Sequence, residues 1–162
     1  MSNDSDLPKR AVEYMQANLD GLARTSPWSR RLGFRLTRLE AGHVWGLQPW
    51  KEHLVGDPET GVLHGGVLTG FLDTLCGMAS SSALPEPRFV ATLDLRIDYM
   101  RPAKPHQDIL GEAECYHYTK NITFTRGWAY HESRDKLIAS AAGAFAINRS
   151  RMSFTGDAQN AG

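Results

Sequence analysis

One stretch of this sequence, Gly65 to Ala83, carries its apolar residues at helical spacing, and the segments flanking it do not. Val67, Leu68, Phe71, Leu72, Leu75 and Ala79 recur at intervals of three and four, the pattern of a helix face. Pro85 and Pro87 stop it. On either side the apolar pattern shortens to strand length. Gly33 to Glu40 and His43 to Pro49, separated by Ala41-Gly42, read as a hairpin. From Val90 to Met100, Ala91, Leu93, Leu95, Ile97 and Tyr99 alternate with Thr92, Asp94, Arg96 and Asp98, a period of two. Ile109 to Tyr118 alternates more weakly. Asn121 to His131 puts Ile122, Phe124, Trp128 and Tyr130 on one face, and Leu137 to Ile147 is a run of small and apolar residues. One helix and six strands each have an apolar face that only the other can bury. The predicted fold is α+β, a mostly antiparallel sheet wrapped around one long central helix.

The ends of the chain add less. Leu7 to Leu22 has Leu7, Ala11, Tyr14, Met15, Leu19 and Leu22 near helical spacing, and Pro27 interrupts its continuation. The first six residues and the stretch from Ser150 to Gly162 are polar and read as loose ends. Eighteen basic side chains balance eighteen acidic ones, which argues against general nucleic-acid binding. No apolar run approaches the ~20 residues of a membrane helix, and the N-terminus lacks the apolar stretch of a secretory signal, so a cytoplasmic protein is expected. Cys76 and Cys115 form neither a CxxC nor a zinc pattern. The six histidines show no HExxH. Neither a metal nor another cofactor is expected.

The chemistry concentrates around the start of the central helix. A loop rich in glycine and proline, from Gly56 to Gly61, leads into His64-Gly65-Gly66 and then the helix. The first amides of a helix lack internal acceptors and carry the positive end of its dipole. Gly65 and Gly66 would let a ligand approach them closely, which makes a candidate oxyanion site. Asp73 is the one acid in an otherwise apolar helix, on a face shared with Gly66, Thr69, Gly70, Cys76, Gly77 and Ser80. It reads either as a partly exposed acid or as a base or nucleophile in a site. Gly65 and Asp73 lie roughly 12 Å apart along the helix, whereas both groups must sit about 3 Å from one reacting carbonyl. One helix can hardly supply both. Two antiparallel copies can, so a homodimer with two composite sites is expected. Phe71 and Leu75 are candidates for an apolar ligand pocket. Ser80, Ser81 and Ser82 lack a G-x-S-x-G setting.

These residues resemble the hotdog-fold acyl-CoA thioesterases of the phenylacetate-pathway (PaaI-like) type, over roughly Pro49 to Ile147. The pieces that carry the resemblance are G-x-x-H-G-G at Gly61 to Gly66, Leu-Asp-Thr at 72–74, and a strand from Thr92 ending in Tyr-Met-Arg-Pro-Ala at 99–103. The resemblance implies a hotdog domain over 31–149, preceded by a helical extension (1–30) and followed by a flexible tail (150–162). It implies dimers or homotetramers and hydrolysis of an acyl-CoA thioester. The Gly65 amide would polarise the carbonyl, and Asp73 would act as nucleophile or as base for water. Thr92 would orient the water or the carboxylate, and His64 would support the loop. Where relatives often carry an Asn in that loop, this sequence has Asp57, which cannot donate a hydrogen bond while ionised.

Arg101 and Lys104 after the strand, and Lys120 and Asn121 in a later turn, are candidates for binding the CoA phosphates through charge and hydrogen bonds. Two other readings stay open. A hotdog hydratase or dehydratase would need a histidine near the acid, so a His64–Asp73 pair across the dimer would favour it. A non-catalytic acyl-CoA sensor would bind without turnover.

Overall fold

The computed structural model describes residues 7–24 and 26–151. Three short helices, α1 (Leu7–Ala17), α2 (Leu19–Ala23) and α3 (Pro27–Leu32), come first. The hairpin β1 (Arg35–Glu40) and β2 (His43–Gln48) follows, then a small hairpin β3 (Val55–Asp57) and β4 (Val62–Leu63). The central helix α4 (Gly65–Ala83) precedes β5 (Arg88–Tyr99), β6 (Ile109–Tyr118), β7 (Ile122–Tyr130) and β8 (Leu137–Arg151). Six strands form one antiparallel sheet in the order β1-β2-β6-β7-β8-β5. It wraps around α4, as the sequence pattern predicts.

The helix seats closely because the sheet gives way beneath it. Gly46 of β2 stands directly opposite Gly111 of β6. A methyl group on Gly111 would come within 2.5 Å of Phe71, and one on Gly46 within 2.9 Å of Leu75. Phe71, Leu72 and Leu75 are accordingly fully buried. The same constraint decides the faces of β7. Its helix side carries Thr123, Thr125, Gly127 and Ala129, all buried, while Ile122, Phe124, Trp128 and Tyr130 are only half-buried on the other side. The large face is therefore turned away from α4, because only small residues fit under a helix packed this near.

Two sequence expectations change at the edges. The helix expected over Leu7 to Leu22 breaks at Asn18, whose side-chain amide donates back to the Tyr14 carbonyl at 2.8 Å. Pro27 stops that run but opens α3, with Ser26 accepting from the Ser29 amide at 3.0 Å, as a proline at a first helical position permits. The strand predicted to end at Ile147 continues to Arg151, paired at its end with Arg88. The remainder of the predicted tail and the first six residues lie outside the described residues. Among the described residues no helix is long and apolar enough to cross a membrane.

Strand β5, at one edge, breaks its own alternation. Its register with β8 slips between Thr92 and Asp94. This bulge moves the face toward the helix from the even positions, Val90 and Thr92, to the odd positions, Leu95, Ile97 and Tyr99. Val90, Leu95 and Ile97 pack on the core, whereas Leu93 is 57% exposed and Ala91 is also exposed.

Candidate active site

The loop before α4 is strapped from several sides. The Trp50 indole donates to the Gly61 carbonyl at 2.9 Å, and the His64 amide donates to the Leu54 carbonyl at 2.9 Å. Gly56 lies so near His64 that an added Cβ would fall 2.7 Å from its Cα. His64 is the N-cap of α4, and its ring Nδ1 accepts from the Gly66 amide at 2.9 Å. The ring is thus committed to capping. The next amide, that of Gly65, has no protein acceptor among the described residues. Tyr99 closes over it from β5, its hydroxyl donating to the Gly65 carbonyl at 2.9 Å and lying 2.8 Å from the Thr69 hydroxyl.

Two turns along α4, the half-buried Asp73 accepts a hydrogen bond from the Thr92 hydroxyl at 2.8 Å. The pair stands at a cavity of about 190 Å³ between α4 and β5. Along the helix the cavity is lined by Asp73, Thr74, Gly77, Met78 and Ser81, and opposite by Val90, Thr92 and Phe145. Asp73 and Gly65 share one 19-residue helix, and the helical rise holds them roughly 12 Å apart.

Residues 60–138 match the profile of the thioesterase superfamily. A solved protein from Pseudomonas aeruginosa is 38% identical, covering 88% of this chain and 99% of that one, with a TM-score of 0.70. The chain belongs to the thioesterase superfamily. Its sheet around a single long helix is the hotdog fold. A solved thioesterase from Haemophilus influenzae shares that fold at a TM-score of 0.71, 23% identical over 82% of this chain and 90% of its own. So does the Escherichia coli PaaI protein of the phenylacetic acid degradation operon, at 0.72 and 16% over 93% and 100%. An esterase-named protein of Halobacterium salinarum is 41% identical over 68 residues. That match spans 40% of this chain and 44% of the relative, so the chain spans less than half the length of that curated protein.

Within this superfamily member, the sequence candidates fall into separate places. Thr92 and Asp73 meet directly; His64, Gly65 and Gly66 form the helix start. Asp57 is turned into its own loop: its carboxylate accepts from the Thr60 hydroxyl at 2.6 Å and the Glu59 amide at 3.1 Å. Those bonds, Thr60's first, hold it below its ordinary 3.8. Phe71 is fully buried against Phe34, with ring centroids 5.8 Å apart, and lies in the core rather than along the Asp73 cavity. Arg101 lines a second cavity, about 310 Å³, with Gly65 and Tyr99. Lys104 is exposed and 3.9 Å from Glu132. Asn121 lies elsewhere, in an open groove with Arg88, Lys120 and Arg149.

Cys76, on the same helix, is fully buried, and burial pushes its thiol up to about 12, so it stays a protonated packing group. Among the described residues no three His, Cys, Asp or Glu side chains gather closely enough to hold a metal ion. Sequence reasoning did not assign a role to Tyr99 or to Leu22. Tyr99 carries a signal in the Tyr-Met-Arg-Pro-Ala strand end, whereas the position of Leu22, from α2, at the Asp73 cavity depends on a packing that no local pattern encodes.

Proposed function

We propose that the protein hydrolyses acyl-CoA thioesters at composite sites, each built from Gly65 of one protomer and Asp73 of a partner. The observation that carries this reading is the Asp73–Thr92 pair at the mouth of a cavity, in a chain whose central helix also offers an unpaired N-terminal amide. Their separation along one helix supports an antiparallel pairing of two copies. The exposed edge of β5 suits that pairing. It carries Phe89 and Leu93 exposed, with Tyr99 and Met100 exposed at its end, and a long edge strand with exposed apolar side chains invites a second strand.

The chemistry follows from the groups. The Gly65 amide, at the positive end of the helix, receives the charge that develops on the thioester oxygen. Asp73 takes a proton from water, whose oxygen bonds to the carbonyl carbon. The C–S bond then breaks, the electron pair leaves on sulfur, and the proton held by Asp73 returns to the thiolate. Free acid and CoA result. The Thr92 hydroxyl fixes the carboxylate by donating to one oxygen and leaves the other free for water. Attack by Asp73 itself on the carbonyl would use the same residue in the same place. The CoA phosphates meet Arg101 on the Gly65 side of the site. His64 uses Nδ1 for capping, so a hydratase reading would need its Nε2 to reach Asp73 across the dimer.

Free-thiol release from short, medium, long and aromatic acyl-CoAs tests this. The parent is expected to release CoA, and Asp73→Asn to fall by at least about 100-fold with the fold intact. A parent that releases no thiol, or a mutant that keeps full activity, overturns the reading. Arg101→Ala should raise KM for CoA esters and leave the matching pantetheine esters unchanged. The same effect from Lys120→Ala instead would move the phosphates to the other groove.

A further inference from the structure

Gly77 is a costly residue for its position. It sits inside α4, where glycine destabilises a helix relative to alanine. Nothing in the protein requires it: a methyl group there would meet Phe145 at 3.7 Å and Val90 at 3.8 Å, ordinary contacts. This differs from Gly46 and Gly111, where a methyl group would collide with the helix. What a side chain at Gly77 would take is space in the Asp73 cavity, which Gly77 lines.

That cavity, about 190 Å³, runs beside α4. Asp73, Gly77 and Ser81 lie at intervals of four and so form one strip along α4, about 12 Å from end to end. Toward the end of α4 the cavity is lined by Ser81, Arg88 and Phe89, and the buried Ser81 donates to the Arg88 carbonyl at 2.8 Å, which ties the end of α4 to the start of β5. Leu22 also lines this cavity. It belongs to α2, in the N-terminal helices, which lie outside the residues that match the superfamily profile. Part of the cavity lining thus comes from outside the matched segment, and Met78 and Val90 add further aliphatic surface.

We propose that this groove takes a straight acyl chain of medium length, with Gly77 setting its depth and Leu22 its width. The inference rests on Asp73 as the reacting group of the proposed hydrolase. A zigzag carbon chain with bonds of about 1.5 Å advances ~1.25 Å per carbon, so a strip of about 12 Å spans about nine carbons beyond the carbonyl, the medium-length range. The carbonyl sits by Asp73 and the chain runs toward Ser81.

The test is kcat/KM for a series of straight-chain acyl-CoAs from two to sixteen carbons, with benzoyl- and phenylacetyl-CoA beside them. The parent should peak at medium length. Gly77→Val should lower the octanoyl-to-acetyl ratio by about tenfold or more, the scale of a misfitted methyl group in an apolar pocket. Leu22→Ala should move the optimum to longer or bulkier chains. Unfolding by urea separates these effects from loss of fold. A parent that prefers the aromatic esters, or the same length profile in all three proteins, overturns the inference while leaving the hydrolase reading standing. If the parent cleaves no thioester, calorimetry on the folded proteins decides separately. Octanoyl-CoA should then bind about tenfold tighter than acetyl-CoA to the parent but not to Gly77→Val, and equal binding overturns the groove.

Discussion

Gly65 is the residue at which the proposed chemistry can be removed with the least disturbance. It is the first residue of α4, so its amide has no intrahelical partner to lose. Proline is favoured at this position. The residue before a proline must be extended, and His64 already is, with φ −60° and ψ 137°. A Cβ added there would meet Tyr99 at ordinary contact distance, 3.5 Å from its hydroxyl. Gly65→Pro therefore deletes one N–H and little else. We expect kcat to fall about 100- to 1,000-fold, the worth of an oxyanion donor, with an unchanged urea midpoint. Unchanged kcat in Gly65→Pro would place the oxyanion donor elsewhere. At this scale the sequence was partly legible. Asp73 stood out as an acid among apolar residues, and His-Gly-Gly announced a helix start. The reach of Thr92 came only with the family resemblance, because the bulge after it gives it a facing that simple alternation along β5 does not describe.

At the scale of elements, the α4–sheet contact depends on what the strands leave out. Gly46 and Gly111 form a notch under Phe71 and Leu75. Filling it should be expensive: Gly111→Ala would force a methyl group to 2.5 Å from the Phe71 ring and 2.7 Å from Leu75. A loss of about 1–3 kcal/mol is expected, from overpacking, read as a lower urea midpoint with an unchanged slope. Gly77→Ala is the counterpart in the same helix system. With no collision to relieve, it should be neutral or stabilising by about 0.4–1 kcal/mol. If Gly111→Ala proved as mild as Gly77→Ala, the helix would not be seated as closely as described. The elements themselves were legible because periodicity marks them. The bounds of α4, the β1–β2 hairpin and β6 follow the sequence closely. The faces were not: the larger face of β7 was the natural candidate for burial, and the closeness of α4 reversed it. The small hairpin β3–β4 was missed because two- and three-residue strands have no period to detect.

For the whole molecule, the decisive matter is that one chain carries both halves of the proposed site, Gly65 and Asp73, on a single helix that holds them apart. Residues on one rigid helix cannot approach each other, so the proposed site makes activity a property of the assembly. The β5 edge, with Phe89 and Leu93 exposed, is the surface through which a second copy would extend the sheet. In the proposed isologous pairing, Gly65 of each protomer would meet Asp73 of the other. This arrangement predicts complementation between two dead proteins. Gly65→Pro and Asp73→Asn, each inactive alone, leave one intact site in a mixed dimer, because both lesions fall in the same composite site and spare the other. Co-expressed in equal amounts with random pairing, they should recover about one quarter of the parent activity per protomer. Differently tagged protomers, purified through both tags, should recover about half. Sites contained within single chains would recover nothing in either preparation, since every protomer would carry a lesion in its own site. Leu93→Asp in the edge strand supplies the independent reading. It adds a charge where an apolar side chain is already exposed in a single chain, so it should not unfold the protomer. If the composite arrangement holds, sedimentation should show smaller particles and thiol release should fall with them.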